Sequence, residues 1–512
     1  MHSRRQASLE VTALFALCLL SVFYFARWKS SQARYPFPPG PKKLPIVENL
    51  FDIPSKGQIW LDYSEMSRRY GSDIIHLSAL GNSIVVLNTA KAVSDLLEKR
   101  SLIYSSRPYS TMIGELMGWK NTLFFLPYGE AWKSQRKIFH QAIPPGDMAR
   151  FHSKLLKGTR NLLRVIARTD DVLNDFQSWV SVFILDVVYG IQEEDAGDFL
   201  LLGSEAIESL GVAGTPGAFY VEQIPLLKYV PDWFPGADFK RKANKWNDIR
   251  ERITEGTFQA TKEQELATAT PSIVSVALQQ IDASDDVLQR EGDIKSASMA
   301  AYAGASDTTV VALANLIAAL LLDPDVQAIA HRELDKVLGL GKLPDFSDEP
   351  SLPYITAIIM ESFRHQPLAP LAFPHLVTQD DVYEGYHIPK GSYIIGNTWS
   401  IFHNEDEFPD PRRFNPSRFI DRFGKIDPNI RDPTFVFGFG RRICPGKHLA
   451  LASLFIATAS ILACYKIEPE LDEHGELAEP KVQRDPAPSL INKPLPFKCR
   501  FVPRSKEIDA FL

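Results

Sequence analysis

The stretch FVFGFGRRICPGKHLALAS, residues 435–453, surrounds Cys444 with three glycines and a proline between two apolar runs. Glycines let backbone N–H groups approach a sulfur where side chains would block them. A helix that begins near Lys447 would also point its positive end at that sulfur. We expect this field, together with the guanidinium of Arg442, to lower the thiol pKa, as in a cysteine that holds a metal. The alternative is a structural cysteine in a tight loop.

The composition is that of a large globular protein. Its 512 residues are 45% hydrophobic, which suits one large domain or two to three smaller ones. The net charge is −6 without a long basic run, which argues against nucleic acid as a partner. The four cysteines show neither C-x-x-C spacing nor the pattern of a disulfide framework, so a reducing compartment fits best.

The N-terminal region predicts a membrane anchor. Residues 11–26 carry no charge and are flanked by arginines and a lysine. Tyr24 stands where a cleaved signal peptide needs a small residue, which favours a retained anchor. Basic residues are more numerous on the C-terminal side, so the body should face the cytosol. We predict an anchor over residues 1–29, a stiff proline-rich hinge over 30–43 and a catalytic domain over 44–512.

Hydrophobic periodicity predicts a mainly α fold with small β-sheets set to the side, an α+β order. Two β-rich runs around Gly81 predict a hairpin. The stretch 294–322 is apolar nearly all round, so we expect a central buried helix that ends before Pro324. Two helices, a β-rich stretch over 380–399 and a last helix over 447–465 should follow.

The cysteine loop matches the pattern F-x-x-G-x-R-x-C-x-G with Phe437, Gly440, Arg442, Cys444 and Gly446. In this the chain resembles the cytochrome P-450 superfamily of haem-thiolate monooxygenases. The resemblance implies haem b as the cofactor and Cys444 as its axial iron ligand. It also implies that Arg442 pairs with a haem propionate and that Phe437 packs near the sulfur. An anionic sulfur ligand favours O–O cleavage at iron, which agrees with this chemistry.

Glu361 and Arg364 stand three residues apart on one predicted helix face, where an ion pair can form. Such a pair is usually an ordinary surface salt bridge. The motif FNPSRF, residues 414–419, follows at the distance that the family leads one to expect and offers Arg418 as a third member. The resemblance implies that the three lock the chain beneath the haem and serve structure, not catalysis.

The central helix contains GASDT, residues 304–308, in which polar groups interrupt an apolar run. A threonine that kinks the helix is the alternative interpretation, but an unpaired buried carboxylate is normally excluded from a protein interior. The resemblance implies that Thr308 orients oxygen and its waters and that Asp307 relays protons. Family members commonly carry glycine where Ala305 stands, so this chain trims the space above the haem.

The segment EAWKSQRKIFH places Trp132 and Arg136 one helical turn apart. An amphipathic helix with an incidental arginine is the alternative to a propionate clamp. His375 stands where many relatives have an arginine that serves a propionate, although histidine is often neutral at pH 7. The substrate pocket is expected to include Ala301, Ala305, Leu371 and Phe373.

Segments such as YVPDWFPGADFKRKA resemble fungal monooxygenases of secondary metabolism, the O-methylsterigmatocystin oxidoreductase-like group. Some mushroom members of this kind act on terpenoids, and one similar member hydroxylates tryptamine. We therefore expect insertion of one oxygen atom from O2 into a lipophilic substrate, with a terpenoid preferred because the recognition segments are apolar. A tryptamine, indole or polyketide hydroxylase remains an alternative. An oxygen-independent haem-thiolate isomerase or dehydratase and a non-catalytic haem protein are rivals of other kinds.

The resemblance also implies partners and a location. Electrons should come from an NADPH-dependent flavoprotein reductase on the same membrane. Its docking surface would include the basic residues Lys133, Lys137, Arg441 and Lys447. The expected location is the endoplasmic reticulum membrane, with a single span and the catalytic domain in the cytosol.

Overall fold

The computed structural model describes residues 35–79, 81–168, 171–215, 217–265, 271–282, 286–486, 489–506 and 508. The anchor predicted over residues 1–29 lies outside these residues. The hinge predicted over 30–43 is described from residue 35 onward.

The fold is mainly helical with small sheets, as expected. The α-helices are α1 Ile59–Tyr70, α2 Ala90–Val93, α3 Ser101–Tyr104, α4 Glu130–Ala142, α5 Ala149–Ile166, α6 Val172–Tyr189, α7 Gly197–Gly214, α8 Asp238–Glu265, α9 Ile273–Leu278, α10 Val287–Leu322, α11 Pro324–Val337, α12 Pro353–His365, α13 Thr398–Phe402 and α14 Lys447–Cys464. The strands are β1 Ile74–Ala79, β2 Asn82–Leu87, β3 His375–Leu376, β4 Asp381–Tyr383, β5 Tyr386–Ile388, β6 Tyr393–Gly396, β7 Tyr465–Glu468 and β8 Arg500–Pro503. Short π-helical turns lie at Ser94–Lys99 and Thr111–Leu116, and 3₁₀ turns at Trp119–Asn121, Glu193–Asp195, Pro225–Tyr229, Glu349–Ser351, Pro416–Phe419, Pro433–Phe437 and Gly440–Arg442.

Helix α10 passes through the centre of the molecule and packs against α4, α6, α12 and α14. It begins seven residues earlier than predicted, at Val287, and ends as predicted at Leu322. The end is fixed because the Asp323 side chain accepts a hydrogen bond from the N–H of Val326 (3.3 Å) and so caps α11. Helices α10 and α14 are long and apolar enough to cross a membrane, but 72% and 67% of their apolar windows are buried in the fold. They are core helices.

The predicted hairpin is confirmed as the antiparallel pair β1–β2. Gly81 in its turn has φ +83°, a conformation that glycine adopts without strain. Strand β6 adds to β2 in parallel, so that Ile84 lies beside Tyr393, and β3 completes this four-stranded sheet. Strands β4–β5 and β7–β8 form two further antiparallel pairs. The parallel pairing joins a strand from the N-terminal part of the sequence, β2, to a strand from its C-terminal part, β6.

The end of the proline-rich hinge docks on this sheet. The Phe37 ring stacks on His76 with centroids 4.7 Å apart, and the N–H of His76 donates to the Pro39 carbonyl (2.9 Å). A Cβ at Gly40 would lie 2.0 Å from the His76 carbonyl oxygen, so no other residue fits there. These contacts fix the direction in which the chain leaves the domain.

An ion network with two fully buried members, Glu361 and Arg364, fastens the chain after β6 to α12. The carboxylate of Glu361 accepts from Nε and Nη2 of Arg364 (2.7 and 2.8 Å), and Nε of Arg418 lies 3.2 Å from it. Arg364 also donates to the carbonyls of Phe402 and Pro411 (3.0 and 2.8 Å). The alternative interpretation, an ordinary surface salt bridge between Glu361 and Arg364, is therefore wrong, because both residues are 0% exposed.

Glu361→Gln should strongly destabilise the protein, because it leaves two buried guanidinium groups without a counter-charge. Removing one member of a buried pair costs about 3–5 kcal/mol of folding free energy. Thermal unfolding followed by circular dichroism measures the loss. Glu65→Gln is the matched control, since Glu65 and Arg68 form an exposed pair of the same spacing (2.8 Å), worth at most about 1 kcal/mol. Equal effects of the two substitutions would contradict this interpretation.

Candidate active site

The loop before α14 has a backbone that two glycines make possible. Gly438 has φ +92° and Gly440 has φ +52°. A Cβ at Gly440 would also lie 2.3 Å from the carbonyl oxygen of Leu97. This path lets the N–H of Cys444 donate to the Phe437 carbonyl (2.8 Å). The ring of Phe437 packs edge-on against Phe363 of α12 (5.4 Å between centroids).

Burial raises the pKa of the Cys444 thiol above its usual value in the protein alone. The backbone N–H groups of Gly446 and Lys447, at the start of α14, and the charge of Arg136 oppose this shift but do not cancel it. The sequence led us to expect a lowered pKa for Cys444. For the protein alone that prediction is wrong, because the pKa is raised. An anionic sulfur here calls for a cation beside it, such as a bound metal.

Arg442 does not supply that cation, because its guanidinium points the other way. It donates to the carbonyls of Ser105, Leu123 and Leu126 (2.6, 3.2 and 2.6 Å). Its Cζ also lies 4.9 Å from the centre of the Trp132 ring. Arg442 thus joins the cysteine loop to the segment between α3 and α4.

Trp132 and Arg136 lie one turn apart on α4 and both face the cysteine loop. Trp132 is buried, and Arg136 donates to the carbonyl of Ile443 (2.6 Å), the residue before the cysteine. Burial lowers the pKa of Arg136, while Cys444 opposes this shift. The structure therefore brings together the predicted clamp and the predicted metal ligand.

Arg107 is a third guanidinium at this site, and sequence analysis missed it. It donates to the carbonyls of Phe373 and Pro374 (2.8 and 2.7 Å), directly before His375. Its Nε is buried, and no hydrogen-bond partner for it lies among the described residues. Burial lowers the pKa of Arg107 to about 10. Nothing in the local sequence SSRPYS marks this arginine, because its partners lie far along the chain.

The three arginines form a cluster of like charge. Burial, followed by the charges of Arg107 and Arg136, lowers the pKa of Arg442 to about 9. In the described part of the chain, no carboxylate forms a salt bridge with any of the three. Such a cluster suits an anionic ligand. The two propionates of haem fit this requirement, and the Cys444 sulfur fits its iron.

His375 is less suited to a propionate. Its Nδ1 lies 2.7 Å from the Tyr104 carbonyl, which can only accept, so Nδ1 carries the proton. Burial and then Arg107 hold the pKa of His375 well below its usual value, which favours the neutral ring in the protein alone. A neutral ring of this tautomer has no proton on Nε2 to donate to a carboxylate. Arg107 is better placed for the role that was predicted for His375.

The GASDT stretch lies on α10. The Thr308 hydroxyl donates to the Gly304 carbonyl (2.6 Å), a bond back along the helix that the alternative interpretation anticipated. Asp307 is half-buried, and no described residue donates a hydrogen bond to its carboxylate. Burial raises the pKa of Asp307, and the charge of Lys493 opposes this. The helix thus holds a poorly solvated carboxyl group next to a hydroxyl.

Aromatic rings cover this part of α10. A Cβ at Gly304 would lie 2.7 Å from the ring of Phe124, which stacks nearly parallel to Phe373 (6.4 Å, 10°). Ala301 and Ala305 are half-buried on the same helix. Leu371 is different, since it packs into a separate cluster with α1 and β1–β2. Of the predicted pocket residues, the structure therefore does not group Leu371 with the others, and it adds Phe124 to this part of α10.

The chain is similar to known proteins over nearly its whole length. The sequence model of one family, described as Cytochrome P450, matches residues 38–500. Cytochrome P450 monooxygenase 98 of Postia placenta is 48% identical over 507 residues, 98% of this chain and 96% of that protein. Tryptamine 4-monooxygenase of Psilocybe cyanescens is 37% identical over 504 residues, 97% and 99% of the two chains. Cytochrome P450 monooxygenase ple1 of Rhodocybe pseudopiperita is 38% identical over 506 residues, 98% and 96%.

Arg107→Gln should remove a charged hydrogen bond to a haem propionate. We expect the rate of haem loss to rise about ten-fold, because such a bond contributes a free energy that corresponds to about this factor. Transfer of haem to excess apomyoglobin measures this rate. Arg100→Gln is the control, because Arg100 is bound instead to Asp381 (2.7 Å). Unchanged haem loss in Arg107→Gln together with faster loss in His375→Gln would reverse the assignment.

Proposed function

The chain belongs to the cytochrome P450 family, and we propose that it is a membrane-bound fungal monooxygenase that oxidises a lipophilic secondary metabolite, a terpenoid. Its membership makes it a haem-thiolate monooxygenase, an oxidoreductase with haem b as the cofactor. It uses O2, a redox-partner reductase and a small-molecule substrate. The relatives are monooxygenases, which sets aside the isomerase and the non-catalytic haem protein.

The observation that carries the proposal is the position of the Cys444 thiol beside an arginine cluster that has no carboxylate partner among the described residues. In this proposal Cys444 holds the iron, while Arg107, Arg136 and Arg442 hold the propionates with Trp132 beside them. Haem supplies the oxygen chemistry: with two electrons and two protons, one atom of O2 enters a C–H bond and the other leaves as water.

The chain's own part in the reaction is to hold and move protons. The Thr308 hydroxyl is fixed by its bond to the Gly304 carbonyl (2.6 Å), which leaves its oxygen lone pairs free to accept from water. Burial raises the pKa of Asp307, so its carboxylate takes up a proton more readily than an exposed one does. We propose Asp307 and Thr308 as the proton relay.

The substrate side supports a lipophilic compound. The ring that meets α10 at Gly304 is Phe124, which stacks on Phe373, and the helix adds Ala301 and Ala305. Apolar walls favour a substrate bound by surface burial over one recognised by hydrogen bonds. A second candidate is an indole amine, because one relative is named tryptamine 4-monooxygenase. A protonated amine would need a carboxylate, and Asp307 is the one on this stretch of α10.

Membrane attachment is proposed from two features. The first is the anchor over residues 1–29, which would place the chain in the endoplasmic reticulum membrane with a single span and a cytosolic domain over 44–512. The second is a group of exposed apolar side chains between α7 and α8, Tyr220, Leu226, Tyr229 and Trp233, each more than 70% exposed. Large exposed aromatic groups in one segment suit a membrane interface.

The reductase is proposed to be an NADPH-dependent flavoprotein that docks near the cysteine loop. Lys137 is exposed on α4, and Arg441 lies over the Tyr128 ring (5.3 Å). Lys447 donates to the Thr434 hydroxyl (2.8 Å). Lys133 pairs with Glu130 (2.7 Å), so its charge is partly balanced. These cations give that face a positive field that would attract an acidic partner.

Yeast cells that express this chain together with a reductase test the substrate. We expect new oxygenated products from added sesquiterpene or diterpene precursors, detected by mass spectrometry. A Cys444→Ala strain is the control and should form none. Hydroxylation of tryptamine alone, with no terpenoid product, would overturn the terpenoid proposal and favour the second candidate.

Asp307→Asn should slow product formation and raise the unfolding temperature at neutral pH. Burial raises the folded-state pKa above the unfolded value, which is about 3.9. Ionised Asp307 therefore opposes folding above both pKa values, and the penalty vanishes where the carboxyl is protonated in both states. The gain in stability should shrink on acidification. Asp248→Asn is the control, since Asp248 is 69% exposed. A variant that is both slower and less stable would indicate a structural role.

A further inference from the structure

Helix α4 carries the proposed haem clamp on one of its faces. Trp132 and Arg136 both face the cysteine loop, and Arg136 donates to the carbonyl of Ile443 (2.6 Å). An α-helix turns by about 100° per residue, so Ser134, two residues from each of them, lies on roughly the opposite face. The contacts of Ser134 therefore decide how far α4 can move away from the cysteine loop.

Ser134 is bound to the central helix α10, 159 residues later in the chain. Its hydroxyl donates to Oδ2 of Asp293 (2.5 Å). The oxygen of the same hydroxyl accepts from Nη1 of Arg290 (3.4 Å), three residues earlier on α10. Helices α4 and α10 also pack against each other. The Ser134 hydroxyl thus uses both its donor and an acceptor position on α10.

Asp293 is a nearly buried carboxylate, with an exposed fraction of 8%. Among the described residues, its hydrogen-bond donors are the Ser134 hydroxyl and Nε2 of Gln289, four residues earlier on α10 (3.2 Å). Neither donor is charged, and burial of a carboxylate costs free energy that such donors offset only in part. The bond from Ser134 is the one that comes from another helix. A costly group at this position therefore serves to tie α4 to α10.

Helix α10 is a firm support for α4. It passes through the centre of the molecule, where α6, α12 and α14 also pack against it. On its other sides α4 meets irregular chain: Gln135 donates to the Asn121 carbonyl (2.6 Å), and Arg136 donates to the cysteine loop. Short turns and loops adjust more easily than a packed core helix does. The contact with α10 thus sets the position of α4.

We propose that Ser134 and Asp293 are positioning residues for the haem clamp, because they hold α4 where Trp132 and Arg136 reach the propionates. The inference rests on the proposed function, since it takes those two side chains as the clamp. Ser134 lies on the face of α4 turned away from the cysteine loop. The pair therefore acts through the backbone of α4.

The same contact has a consequence for the proposed proton relay. Asp307 and Thr308 lie on α10, the helix that carries Asp293. A bond between α4 and α10 fixes the spacing between the propionate clamp and the relay. One hydroxyl–carboxylate contact thus helps to set both the position of the cofactor and its distance from the groups that deliver protons.

Ser134→Ala tests this role in the full, haem-loaded chain. It leaves the Asp293 carboxylate buried without its donor from α4. We expect transfer of haem to excess apomyoglobin to become about ten-fold faster, the factor that corresponds to loss of one hydrogen bond to a charged group. Ser134→Thr keeps the hydroxyl and should restore a rate close to that of the wild-type chain.

A second variant and a matched control accompany this test. Asp293→Asn keeps an oxygen for Ser134 but loses the charge, so its effect should be smaller than that of Ser134→Ala. Ser347→Ala is the control, because Ser347 donates to Asp345 at the same distance (2.5 Å) on the exposed surface. It should leave haem loss unchanged. If Ser134→Ala does not fold, faster haem loss in Asp293→Asn than in Ser134→Thr decides in favour of the role.

A double variant separates positioning of the clamp from general stabilisation of the fold. Arg136→Gln alone should speed haem loss, because it removes part of the clamp. If Ser134 acts through the clamp, Ser134→Ala should add much less in the Arg136→Gln chain than in the wild-type chain. Two effects that multiply fully would contradict the positioning role and leave Ser134 a purely structural one.

Hydrogen exchange gives a readout that does not depend on haem transfer. Amides of residues 130–142 should exchange faster in Ser134→Ala than in the wild-type chain or in Ser347→Ala. Unchanged exchange and unchanged haem loss in Ser134→Ala would overturn the inference and leave the proposed function intact. A wild-type chain without a thiolate-ligated haem spectrum would instead overturn the proposed function itself.

Discussion

Three guanidinium groups without a carboxylate partner among the described residues are the constraint around which this protein is arranged. Arg442, Arg136 and Arg107 come from the cysteine loop, from α4 and from the segment between α3 and α4. Arg442 donates to carbonyls of that segment, Arg136 to a carbonyl of the cysteine loop, and Arg107 to carbonyls directly before β3, so the cations join parts of the chain as well as repel one another. Repelling charges in a half-buried place persist where an anion offsets them. A cofactor with two anionic groups and a metal ion would offset the charges of the three arginines and would also provide a cation for Cys444.

Three carboxylates show how differently the fold treats one chemical group. Glu361 is fully buried and is met by two arginines, so its charge stabilises the fold. Glu222 is half-buried and accepts hydrogen bonds from one hydroxyl and two N–H groups of residues 110–112, so its charge joins two segments that are distant along the chain. No described residue donates a hydrogen bond to Asp307, whose pKa is raised by burial. An unsatisfied carboxyl in a core costs stability, and such sites are expected where chemistry is done.

Residues that belong to short patterns were found from the sequence, while residues that work through distant contacts were not. Cys444 and Arg442, and likewise Trp132 and Arg136, stand at fixed spacing in one loop or on one helix face, and the structure brings them together. Arg107 has no such pattern around it. Its role depends on carbonyls of residues 373 and 374, which lie far along the chain. The spacing of residues along the chain carries no information about contacts between segments that are far apart in sequence.

The sequence by itself determined the helical fold class, the hairpin at Gly81, the end of the central helix and the loop around Cys444. These depend on local rules, since periodicity, capping and glycine conformations act over a few residues. The tertiary structure decided the direction in which Arg442 points, the tautomer and charge of His375 and the sign of the pKa shift at Cys444. Each of these is a sum of burial and of charges brought from far along the chain, and that sum exists only once the chain is folded.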